Sequence, residues 1–172
     1  MHFAVYAYVG ESSNRPLLYY ENSFAGIAVL LRTLIENQRI PVVFSSTCAT
    51  YGLLRVPITE DHRQHPINPY GSSSLSACWQ RFAYGLPWVA LLYFNAAGAD
   101  PNGQIGEAHD PETHLIPLVL AAARTGIPVR IFGADDDTSD GACVRDYIHV
   151  TGIADAHVRA LEYLSRRQRP RE

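Results

Sequence analysis

Apolar positions recur along this chain in two rhythms. Phe24, Ile27, Leu31 and Leu34 fall at 3-4-3 spacing, one face of a helix, and predict a helix over residues 17–37. Gly26 lowers its propensity slightly but permits a close neighbour. Residues 41–46 and 88–94 are short continuous apolar runs, the pattern of strands buried on both faces. Between them residues 72–84 predict a helix that Gly85 and Pro87 close. Thr113 is expected to cap a helix over residues 115–124, with Pro117 in its first turn, and Gly126 to end it. Residues 129–132 and 144–150 read as further strands around an acidic turn at 133–141. Thr151 is expected to cap a last helix reaching about residue 167. Residues 1–7 read as the tail of a strand. Strands alternating with helices argue for a parallel α/β sheet.

Composition narrows this picture. A chain of 172 residues, 47% hydrophobic and 18% charged, is long and apolar enough to bury a core, so disorder is excluded. A formal net charge of −3 gives no electrostatic case for nucleic acid or an anionic membrane. The basic run from 166 to 171 reads as a solvated terminus. The longest apolar stretches fall far short of a bilayer span, and no signal-peptide pattern opens the chain. Cys48, Cys78 and Cys143 are odd in number and form no CxxC pair, which suits reduced thiols and a cytoplasmic location.

The chemistry centres on Pro66-Ile67-Asn68-Pro69-Tyr70-Gly71-Ser72-Ser73-Ser74. The prolines hold an extended entry, Asn68 and Pro69 favour a turn, and the serines open the helix. Tyr70 at such a helix start can project its hydroxyl into a cleft, or bury it on a backbone carbonyl. Just upstream, Ser45, Ser46 and Thr47 place hydroxyls where a strand ends, the side of a parallel sheet on which ligands sit. His109, Asp110, Glu112 and His114 are metal-ligand types within six residues, but they read as a loop and helix cap, and no metal site is assigned. The acidic turn at 136–141 lacks the glutamate of a calcium loop.

These stretches resemble the extended short-chain dehydrogenase/reductase family, and within it the UDP-glucose 4-epimerases. The family carries Ser-Ser-(Ser/Thr) at the strand end and Asn-Pro-Tyr-Gly-x-Ser-Lys later. Tyr8-Val9-Gly10-Glu11-Ser12, Tyr93-Phe94-Asn95, Glu112-Thr113-His114-Leu115-Ile116-Pro117 and Arg145-Asp146-Tyr147-Ile148-His149-Val150 also match it, in order. The resemblance implies a partial doubly wound, Rossmann-like parallel sheet without its first strands and glycine-rich turn. Residues 1–95 would be a remnant of the NAD-binding domain. Residues 96–172 would begin the substrate-binding portion, with the last helix, 151–167, packing back on the first part. It further implies NAD as cofactor and a UDP-sugar as substrate, with Tyr70 the catalytic base and Thr47 the proton relay. Tyr70, Tyr93 and Ser45 would contact the cofactor, and Asn95, His114 and Arg145 the nucleotide-sugar.

The chain departs from the family where the chemistry sits. The lysine four residues after the tyrosine is Ser74, so no ammonium lies one helical turn away to favour the phenolate. Ser23 stands where the family has a cofactor-binding asparagine, and Gly152 where it has an acidic residue. No three glycines have the dinucleotide spacing; the nearest set, Gly98, Gly103 and Gly106, lies in a loop. Three readings stay open: an inactive or incomplete UDP-glucose 4-epimerase homologue, a non-catalytic nucleotide-sugar-binding or interaction module, and a sister pentose 4-epimerase. An incompletely covered sheet would favour self-association.

Overall fold

The structure, a computed structural model, describes residues 1–37, 40–53 and 57–167, and for 81–84 the backbone alone. The basic run beyond Arg167 lies outside the described residues. Two compact units are present, one made of Met1–Tyr93 with the chain from Ala154 onward, the other of Phe94–Ile153.

The first unit is built on strand β1 (Val42–Thr47), which pairs in parallel with β2 (Trp88–Tyr93), Val42 opposite Trp88 and Thr47 opposite Tyr93. Every residue of β1 is buried, because both its faces are covered. Phe44 points into a core with Ile27 and Leu31 of α3 (Gly26–Glu36), Ala77 of α4 (Pro69–Tyr84) and Leu86. Val43, one residue earlier, faces the other way, against Ala160 and Leu164 of α6 (Val150–Arg167). Full burial of Phe44, Ile27 and Leu31 stabilises the fold by about 1.5–3 kcal/mol each.

The helix over 17–37 is a composite. α1 (Val9–Asn14) and α2 (Pro16–Tyr19) precede a π-helical turn, Tyr20–Ala25, which runs into α3. The N-terminal stub forms a single parallel bridge from His2 to Phe44, with the Val43 carbonyl accepting from the His2 amide at 2.9 Å. It is less than the strand expected for residues 1–7.

In the second unit β3 (Asn95–Ala97) pairs in parallel with β4 (Tyr147–His149), and α5 (Leu115–Thr125) ends at Gly126, whose φ of 75° suits a residue without Cβ. Residues 129–132 form no strand; Ile131 and Phe132 are exposed, and no neighbour takes up the ladder of backbone groups. Thr113 does not cap α5: His114 occupies the N-cap position without a side-chain cap bond. Thr151 lies inside α6 rather than before it, and its hydroxyl meets His149 Nδ1 at 2.8 Å. The strand over 144–150 is confined to β4 for the same lack of partners beyond Tyr147–His149. Among the described residues no helix is long and apolar enough to cross a membrane.

Candidate functional site

At the carboxyl end of β1 the chain turns through a 3-10 segment, Cys48–Thr50, with Thr47 as its cap; Thr47 Oγ1 accepts from the Ala49 amide at 3.1 Å. α4 begins beside this turn. Asn68 Oδ1 accepts from the Gly71 amide at 2.8 Å, closing the helix start. A Cβ on Gly71 would overlap the Ala49 carbonyl, so only glycine lets the first turn of α4 lie on the 3-10 segment. That contact brings Tyr70 and Thr47 into a side-chain hydrogen bond.

Tyr70 is half-buried, with the ring of the fully buried Tyr19 edge-on to it at 6.2 Å. Burial pushes the Tyr70 phenol up from its ordinary value; the Thr47 hydrogen bond opposes this, and nearby Cys48 adds to it. Ser74, one helical turn on, is 2% exposed and carries no charge into this environment. Ser23 is fully buried, and its Oγ has no hydrogen-bond partner among the described residues.

Ser45 and Tyr93 point elsewhere. The Tyr93 hydroxyl donates to Ser45 Oγ at 2.9 Å and lies 2.7 Å from His157 Nε2, which is also 3.3 Å from Ser45 Oγ. Burial raises the Tyr93 phenol, with the Ser45 hydrogen bond opposing. The Phe3 ring covers His157, centroids 4.8 Å apart. On the opposite face of β1, Cys78 Sγ reaches Ser46 Oγ at 3.6 Å. His157 was not singled out in the sequence, although it shares one stripe of α6 with Ala160 and Leu164, at i, i+3 and i+7.

The remaining predicted residues belong to the second unit. Asn95 Nδ2 donates to the Asp146 carbonyl at 2.8 Å, across the β3–β4 pair. Arg145, exposed, donates through Nη1 to the Val144 carbonyl at 3.0 Å. His114 Nδ1 lies 3.0 Å from Glu112 Oε1 and 3.3 Å from Glu107 Oε1, and Glu107 also pairs with His109. Glu112 accepts from the His114 and Thr113 amides at 2.7 and 2.8 Å, and these bonds hold its carboxyl below the usual carboxylate range. Glu107 is not among the ligand types that the sequence groups here; its pairing with His109 and His114 forms only once the loop folds back.

The chain is similar to known proteins. A UDP-glucose 4-epimerase of Halalkalibacterium halodurans is 51% identical over 170 residues, covering 95% of this chain and 51% of its own. A putative UDP-arabinose 4-epimerase of Arabidopsis thaliana is 44% identical over 172 residues, covering 94% of this chain and 39% of its own. The crystal structure of UDP-glucose 4-epimerase from Brucella ovis in complex with NAD superposes with a TM-score of 0.88 at 50% identity, over 96% of this chain and 53% of that one. The chain thus spans about half the length of the UDP-glucose 4-epimerases it matches. The model of the NAD dependent epimerase/dehydratase family matches residues 1–172, the whole of the sequence, and the chain belongs to that family.

Proposed function

We propose that the chain carries the proton-transfer pair of a UDP-glucose 4-epimerase, Tyr70 as base and Thr47 as relay, in a form that does not turn over as it stands. One observation carries this reading: the Tyr70 hydroxyl is hydrogen-bonded to Thr47, yet its phenol is raised by burial and Ser74 replaces the cation that would lower it. Burial and the missing cation both disfavour the phenolate, the form that would take a proton from a sugar hydroxyl.

The residues present fit NAD poorly. No glycine-rich turn occurs in the 172 residues to approach a pyrophosphate. Ser45 and Tyr93 spend their hydroxyls on each other and on His157. Ser74 offers no ammonium to a ribose. In this family the cofactor would accept and return a hydride. For the nucleotide-sugar, Asn95, His114 and Arg145 are the proposed contacts; an exposed guanidinium is suited to a diphosphate.

The test is a coupled assay of UDP-galactose and UDP-glucose interconversion with added NAD, beside calorimetric titration of NAD. We expect neither turnover nor micromolar NAD binding; either result would overturn the reading. The Arabidopsis relative favours a second substrate, so UDP-arabinose belongs in the same assay. Leu120, Ile131, Phe132 and Val144 are each more than half exposed, which supports self-association; light scattering on the purified chain should give a mass above that of a monomer. Three free cysteines suit a reducing, cytoplasmic setting.

A further inference from the structure

Four side chains in the loop before α5 converge on one point. One ligand atom each from Glu107, His109, Glu112 and His114 lies within 4.8 Å of all the others. The two imidazoles stand edge-to-face, centroids 4.7 Å apart, with both Nδ1 atoms turned to carboxylates. A tetrahedral ion bound at about 2.0–2.2 Å sets its donors about 3.4 Å apart, and the His114 contacts of 3.0 and 3.3 Å are already close to this. We propose that this cluster is a binding site for a borderline divalent cation, Zn²⁺ being the best match.

The chemistry selects the ion. Two imidazoles and two carboxylates are a zinc donor set, whereas calcium and magnesium take oxygen ligands, six or more of them. Two carboxylates and two neutral imidazoles compensate the ion's charge completely. Glu112 is already fixed in place by the Thr113 and His114 amides, which donate to its carboxylate. On binding, each imidazole presents an unprotonated ring nitrogen to the ion and carries its proton on the other. Glu107, His109 and His114 are exposed and Glu112 is half-buried, so an ion reaches the cluster from solvent. Occupancy would tie the loop to the first turn of α5. The proposal shares His114 with the proposed nucleotide-sugar contacts but does not rest on that reading.

The experiment uses the purified chain freed of metal with chelator, then titrated with Zn²⁺ alone by calorimetry and with Co²⁺ by visible absorption. One equivalent of Zn²⁺ should bind in the micromolar range or tighter, and Co²⁺ should give the intense absorption of a tetrahedral site. Glu107→Gln and Glu112→Gln, which preserve shape and a hydrogen-bond acceptor, should each weaken binding about tenfold or more, and His109→Ala/His114→Ala about a hundredfold or more. His62→Ala/His65→Ala should change nothing. Absence of binding, binding that survives His109→Ala/His114→Ala with an unchanged melt, or binding lost in His62→Ala/His65→Ala would overturn the proposal.

Discussion

Two glycines in helices should respond to alanine with opposite signs. A Cβ on Gly71 would overlap the Ala49 carbonyl oxygen, with the carbonyl carbon 2.9 Å and Pro66 Cβ 3.0 Å away. The obstacle is backbone, which cannot rotate aside, so the cost belongs near the upper end of overpacking, about 3 kcal/mol. Alanine recovers about 1 kcal/mol of helix propensity, leaving a net loss of about 2 kcal/mol. At Gly26 an added Cβ meets nothing nearer than the Glu21 carbonyl at 3.7 Å, and the backbone, φ −59° and ψ −43°, is ordinary helix. There the same substitution should gain about 1 kcal/mol. In a chain of this length each kcal/mol moves Tm by about 2–4 °C, so Gly71→Ala should melt about 4–8 °C below the parent and Gly26→Ala about 2–4 °C above it. Far-ultraviolet circular dichroism on the three proteins side by side measures both. A Gly71→Ala variant that melts at or above the parent would refute the packing of α4 on the 3-10 segment.

Tyr19 gives a pH dependence. Its hydroxyl, 2.8 Å from the Tyr8 carbonyl and 2.9 Å from Glu11 Oε2, is pushed up to about 12, first by burial and next by the Glu11 hydrogen bond. A tyrosine raised in the folded state contributes stability that is complete below about 10 and is lost as pH climbs toward 12. Urea melts at pH 9 and pH 11 should therefore differ in the parent and converge in Tyr19→Phe; an unchanged slope would count against the assignment. Ser74→Lys should not create activity: a lysine at a position 2% exposed is driven toward its neutral form, so the variant should melt lower and show no turnover in the coupled assay. UDP should bind no better than millimolar, since Arg145 is exposed and not preorganised; chemical-shift changes at micromolar UDP that Arg145→Ala abolishes would contradict this.

The scaffold of the first unit was legible because its signals are local. The 3-4-3 stripe of α3, the apolar runs of β1 and β2, and the prolines and serines opening α4 each need only a dozen residues of context. What failed needed partners. Residues 129–132 have strand composition, yet strand formation requires a neighbour for the backbone ladder. Thr113 and Thr151 are good capping types, but α5 starts after His114, which takes the N-cap position, and α6 starts one residue before Thr151. At the site, Tyr70 and Thr47 were legible as a motif, whereas the bond between them depends on Gly71 fitting against Ala49. The engagement of Ser45 and Tyr93 with His157 was not legible, because 64 positions separate Tyr93 from its histidine. Glu107 was missed for a related reason: its partners are close in sequence but converge only once the loop has folded back.

The contact of Gly71 with Ala49 has an evolutionary consequence. It is made by main chain against main chain, so the separation of the positions bearing Tyr70 and Thr47 does not depend on which side chains occupy them. Residues at 47, 70 and 74 can therefore be exchanged one at a time while the frame that presents them persists. A chain of this kind can lose a reaction without losing its shape, and the same frame remains open to new chemistry through few substitutions.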